Sequence, residues 1–220
     1  MTFPALEEST HTYTVDGAET PGVSEILGSV GTKRTGKLGT EYWRSIGGGE
    51  FYRDETARDF GTHFHGYPAL RLGKGSVAPL QRSDIDYSPK MAPWIDQWEC
   101  WWAANRGEIV TIGGMRAVEL SLYSRVLGYC GTPDVAMIHD GKTPVVVDWK
   151  TGPLTDIYRV KMAAYIHLLE INTSIRGWHS WIVSITGESA EPAVDKLTPR
   201  HMERHLNDWR SIVNVYRAGR

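Results

Sequence analysis

The chain has 220 residues, 41% of them hydrophobic and 23% charged, with a formal net charge of −2. It is an ordinary globular composition, large enough for a proper core and expected to form one domain. No apolar run approaches the roughly 20 residues that span a bilayer, and Met1 to Thr10 lacks the basic and apolar blocks of a signal peptide, so a cytoplasmic location without membrane contact is expected.

Only Cys100 and Cys130 are present, which argues against a disulfide framework, a structural zinc site or an iron–sulfur cluster. The small net charge does not decide for or against nucleic acid, because an acidic metal site would mask basic patches elsewhere.

In chain order, His11 to Val15 alternates apolar and polar residues, turns at Asp16-Gly17 and resumes toward Pro21-Gly22-Val23, which predicts a hairpin. Ser24 precedes Glu25-Ile26-Leu27 as an expected N-cap. Gly31 to Lys37 sets Lys33, Arg34 and Lys37 between glycines, either a solvated loop or one that contacts phosphate. Gly47-Gly48-Gly49 interrupts the next helical stretch. From Glu50 the spacing of Phe51, Ala57, Phe60 and Phe64 predicts a helix that carries His63 and His65 on different sides.

Gly73 to Lys90 reads as a loop. In the helix expected over Met91 to Asn105, Trp94, Trp98, Trp101 and Trp102 fall on one face, a spacing that suits core packing better than a base-stacking platform.

Ala117 to Tyr123 is expected to be a strand bearing Glu119. Pro133 to His139 and Thr143 to Trp149 predict a hairpin about Asp140-Gly141. Pro153 and Asp156 are expected to open a helix to about Ile171, on which Lys161 and Tyr165 share a face. Gly177 to Ile185 predicts a strand, and Thr198-Pro199 a closing helix to about Ala218 with Met202, Leu206, Trp209, Ile212, Val213 and Tyr216 inside.

The hairpin carries the chemistry. Side-chain alternation puts Asp148 and Lys150 on the face of Val146, with Val145, Val147 and Trp149 on the other. Antiparallel pairing brings Asp134 alongside the end of the strand bearing Asp148. Two carboxylates and a lysine at one sheet edge suit a hard divalent cation beside a positive charge.

Pro133-Asp134 followed by Asp148-Trp149-Lys150 resembles the signature of the PD-(D/E)XK nucleases, in their RecB-like and phage-exonuclease branch. YTVDGAETPGVSEIL is similar to the opening of phage-type and mitochondrial genome-maintenance exonucleases, with Gly22 where that pattern has serine.

The resemblance covers nearly the whole chain. It implies a single domain over residues 1–220 with a restriction-endonuclease-like α-β-β-β-α-β core and a helical N-terminal half. Through Gly61-Thr62-His63-Phe64-His65 it implies His65 as a metal ligand, and through order and spacing it makes Glu119 the first acidic residue of the site.

It further implies one or two Mg²⁺ or Mn²⁺ ions held by Glu119, Asp134, Asp148, the Trp149 carbonyl and His65, with Lys150 catalytic. Lys161 stands where the family has glutamine and Tyr165 matches its tyrosine, both toward the substrate strand. The implied activity is sequence-nonspecific DNA exonuclease in recombination, repair or replication. Alternatives are an endonuclease of the superfamily or a silent DNA-binding module on the same fold. The family includes ring-shaped assemblies, but neither a homo-oligomer interface nor a recombination partner can be read from the residues.

Overall fold

The computed structural model describes residues 3–7, 10, 12–30, 55–75, 77–189 and 191–219. Lys33, Arg34, Lys37 and the Gly47 to Gly49 triplet lie outside the described residues.

The N-terminal hairpin forms as its alternation and Asp16-Gly17 turn predict, and it gains a preceding strand. Strands β1 (Ala5–Glu7), β2 (Thr12–Val15) and β3 (Ala18–Thr20) make a three-stranded antiparallel sheet. The half expected to be helical thus begins with β-structure.

Helix α1 (Val23–Val30) follows, and its first hydrogen bond runs from the Ile26 amide to the Gly22 carbonyl. Ser24 therefore lies inside the first turn rather than capping it. Helices α2 (Glu55–Leu72) and α3 (Ala92–Asn105) complete this half.

The central sheet has five strands, β4 (Glu108–Ile109), β9 (Val135–His139), β10 (Thr143–Lys150), β11 (His179–Ser184) and β12 (Ala193–Leu197), in the order β12-β11-β10-β9-β4. Two small hairpins, β5 (Thr111–Ile112) with β6 (Met115–Arg116) and β7 (Leu122–Ser124) with β8 (Tyr129–Gly131), lie between β4 and β9 in sequence.

Asp140 and Gly141 both take positive φ at the centre of a turn in which the Lys142 amide donates to the His139 carbonyl, and β9 and β10 pair antiparallel around it from His139 and Thr143. Parallel strands cannot be joined by a tight turn. Helix α4 (Asp156–Asn172) accordingly crosses over between β10 and its parallel neighbour β11, while all other pairings in the sheet are antiparallel. Helix α5 (Pro199–Ala218) closes the chain after Thr198, as its sequence predicts.

The architecture is mixed α/β, with a mixed five-stranded sheet and five helices among the described residues. Three expectations are corrected. Ala117 to Tyr123 is not a strand of the central sheet: Val118 makes one isolated bridge to Val135, Glu119 leaves the extended conformation at φ 46°, and pairing resumes only at Leu122, with β8. The three consecutive strands implied for the core are therefore a two-stranded hairpin flanked by β4. Helix α4 starts at Asp156, three residues after Pro153.

The alternation in β10 sorts its side chains as expected. Val146 joins Ala136 and Ile182 against α1, α4 and α5, whereas Val145, Val147 and Trp149 join Val135, Met137 and Val183 against α2 and α3. The tryptophan stripe of α3 is core. Trp98, Trp101 and Trp102 meet Trp149 edge-on at 5.8, 5.2 and 6.3 Å between ring centroids.

Emptying the Trp149 site with alanine would cost about 3–5 kcal/mol. Its anchorage on one face fixes Asp148 and Lys150, its sequence neighbours, toward the other. No described helix is long and apolar enough to cross a membrane.

Candidate metal centre

The centre forms where β9 begins and β10 ends. Val135 pairs with Val147, so Asp134 lies beside Asp148, one step beyond the last paired residues. Asp134 Oδ2 accepts a 2.6 Å hydrogen bond from the Trp149 amide. The first carboxylate is thereby fixed to the backbone of the strand bearing the second.

Helix α2 brings His65. Phe64 and Tyr67 are buried against α3 and the sheet. Glu99 of α3 also accepts hydrogen bonds from Tyr67 Oη at 2.5 Å and from Arg71 Nε at 2.6 Å. Held in this way, α2 sets His65 Nδ1 3.4 Å from Asp134 Oδ1 and 3.6 Å from Glu119 Oε1. His63 is exposed, as two helical positions of separation require.

Glu119 reaches the same point from a kink, its amide donating to the Asp134 carbonyl at 3.0 Å. A positive φ is unusual for glutamate. Here it turns the side chain out of the path of the Ala117 to Tyr123 segment and toward His65. One ligand atom from each of His65, Glu119 and Asp134 lies within 4.8 Å of the others, and the three could hold a metal ion. An imidazole nitrogen with two carboxylate oxygens is a donor set that a divalent cation can use.

Asp148 is arranged differently. Its side chain is fully buried, and each oxygen faces an ammonium: Lys150 Nζ on Oδ2, and Lys161 Nζ from α4 at 3.1 Å from Oδ1. Lys150 also donates to the Trp149 carbonyl at 2.9 Å. Asp148 and that carbonyl are thus held by lysines and stand beside the three-residue group, although the sequence reading places all of them on the metal.

The electrostatics follow from this arrangement. Burial disfavours the Asp148 charge, but Lys150 and Lys161 outweigh it and hold the carboxyl at about 2. Burial pulls Lys150 below the ordinary lysine value, Asp148 opposing and the Lys161 charge adding to it. Burial works against the Lys161 charge too, yet Asp148 lifts it well above that value. Burial also disfavours a His65 imidazolium, but Asp134 and Glu119 raise it to about 10. Glu119 is pushed up by burial and then by Asp134.

A cavity of about 340 Å³ opens onto His65, Glu119, Asp134, Lys150 and Lys161, with Lys74, Tyr13, Thr132 and Tyr165 also in its wall. Lys161 Nζ sits 5.2 Å from the centroid of the Tyr165 ring, so the two residues share a helix face as predicted. Tyr13 Oη and Ser121 Oγ each lie within hydrogen-bond distance of Thr132 Oγ1, at 2.9 and 3.0 Å. Arg159, on the same helix, pairs with Asp195 and Asp156.

Sequence reasoning missed Tyr13, Lys74 and Thr132. Only Thr132 had a local signal, two residues before Asp134. No family model matches the chain, and no curated protein matches it.

Proposed function

We propose that the chain is a metal-dependent deoxyribonuclease of the PD-(D/E)XK superfamily, acting as a sequence-nonspecific exonuclease of the RecB-like and phage type. The observation that carries this reading is that His65, Glu119, Asp134 and Lys150, from four segments of the chain, line one cavity, with Asp148 buried behind Lys150 as its ion-pair partner. The β9–β10 hairpin, the α4 crossover and parallel β11 support a restriction-endonuclease-like core around it.

In this reading His65, Glu119 and Asp134 hold the divalent ion. A bound Mg²⁺ or Mn²⁺ supplies charge stabilisation at the scissile phosphate and lowers the pKa of a water. Lys150, its pKa pulled down by burial, is suited to hold or pass a proton at Nζ. Asp148 keeps Lys150 in place through an ion pair on a fully buried carboxylate. Lys74 and Lys161 on the cavity wall offer positive charge to the phosphate backbone, which attracts a strand without reading its bases. Hydrolysis breaks one P–O bond and, on the family pattern, leaves a 5′-phosphate.

The test compares linear with covalently closed circular DNA of one sequence, in Mg²⁺ and then Mn²⁺, with and without chelator. Metal-dependent loss of the linear form alone is expected. Equal cutting of the circle would make the chain an endonuclease. DNA binding without cleavage in either metal would make it a binding module.

A further inference from the structure

Each oxygen of Asp148 faces an ammonium, although only Oδ1 is hydrogen-bonded. Lys150 takes Oδ2 and Lys161 takes Oδ1 at 3.1 Å, and the side chain is fully buried. Among the described residues, those grouped closely enough to share a metal are His65, Glu119 and Asp134, without Asp148. The Trp149 carbonyl, the other oxygen donor at this end of β10, accepts from Lys150.

An ammonium has three donors and no lone pair, so it cannot ligate a metal and can only exclude one or stand in for it. A second divalent ion on Asp148 would have to displace Lys161 or lie against its charge in a buried setting, where like charges repel strongly. Lys161 is also well seated there, on α4 with its Nζ 5.2 Å from the centroid of the Tyr165 ring, at the wall of the same cavity.

We infer that Lys161 is a built-in cation, holding on Asp148 the place of a second metal ion, so that the centre binds one divalent ion on His65, Glu119 and Asp134. The inference rests on the metal-centre part of the proposed function and is independent of DNA cleavage. Lys161 is a positioning residue here. It gives Asp148 a permanent counter-charge, which leaves metal affinity to the other three groups.

The experiment counts Mn²⁺ bound per chain, without DNA, by calorimetric titration and by electron paramagnetic resonance. The chains compared are wild type, Lys161→Gln, Lys161→Met, Lys161→Arg and His65→Ala, with near-ultraviolet circular dichroism confirming the native fold of each. Wild type and Lys161→Arg should bind one ion. Lys161→Gln, or Lys161→Met should the glutamine chain misfold, should bind two, with the spectral broadening of neighbouring Mn²⁺ ions. His65→Ala should lose the wild-type ion.

Two ions in wild type would overturn the inference. So would one ion in both neutral variants, and while His65→Ala still loses its ion the metal centre itself would stand. No Mn²⁺ in wild type would remove the metal centre and this inference together.

Discussion

Three described residues other than glycine have positive φ, and two of them, Asp16 and Asp140, sit in Asp-Gly turns where that backbone is usual. Glu119, at φ 46°, does not. Left-handed backbone costs a residue with a Cβ about 1–2 kcal/mol, and glycine escapes that cost while losing about 0.5–1 kcal/mol to its greater unfolded-state entropy. Glu119→Gly should therefore be more stable than Glu119→Ala by about 0.5–1 kcal/mol, although glycine is normally the weaker of the two. Both variants remove the carboxylate, so their difference isolates the backbone.

For a chain of this length the gap corresponds to about 1–4 °C in Tm. Urea unfolding in chelator, with equal m-values, measures it directly. Both variants should bind Mn²⁺ far more weakly than wild type, which would place the strain at a functional residue. An alanine variant as stable as the glycine one would refute the strain argument. Wild-type Mn²⁺ affinity in either variant would remove Glu119 from the centre.

Three further outcomes are expected. Lys150→Ala should keep DNA binding and lose cleavage by about 10²–10⁴-fold, the usual span for a positioned proton-transfer group, as read by binding and turnover on one linear DNA. His65→Ala should weaken metal affinity and shift preference away from Mn²⁺, while His63→Ala, an exposed neighbour, changes neither in parallel titrations. Metal-free stability should fall between about pH 6.5 and 10: the His65 pKa is raised from 6.5 to about 10 by Asp134 and Glu119 against the opposing effect of burial, so its contribution is complete below the unfolded value and lost as pH rises through the folded one. Denaturation midpoints at pH 6 and pH 10 check this, and the same fall in His65→Ala would assign it to another group.

The parts of the fold legible in the sequence were those specified locally. Asp140-Gly141 could close only a tight turn, and the alternation on either side sorted Val146 from Val145 and Val147 onto the faces they occupy. The stripe of Trp98, Trp101 and Trp102 was legible as core, but not its target, Trp149, because nothing local to α3 names a partner so far downstream in β10.

Glu119 was found as a residue and misplaced as a conformation. The run Ala117 to Tyr123 alternates well enough to read as a strand, but Val118 spends its pairing on Val135, and the Glu119 amide is taken by the Asp134 carbonyl. Those are tertiary constraints, which override local preference. The edge strands β4 and β12 were illegible because two residues, or five partly exposed ones, carry too little pattern. For Lys161, its spacing from Tyr165 placed it on the right face. That it would pair with Asp148, 13 residues earlier, depends on how α4 packs across the end of β10.

The centre meets one electrostatic problem in two ways. Glu119 and Asp134 line one cavity and Asp148 is buried beside Asp134, and buried like charges cannot all remain ionised without counter-charge. Asp148 receives its counter-charge covalently encoded, from Lys150 and Lys161, and stays ionised down to about pH 2. Glu119 and Asp134 receive theirs from a proton on His65, which a metal ion can replace because the imidazole then offers the nitrogen lone pair that the proton occupied.

The two halves of the site therefore differ in kind, one closed by lysine and the other exchangeable. The near-neutral net charge of the chain hides both, because six groups of opposite sign sum to almost nothing while lying within one small region.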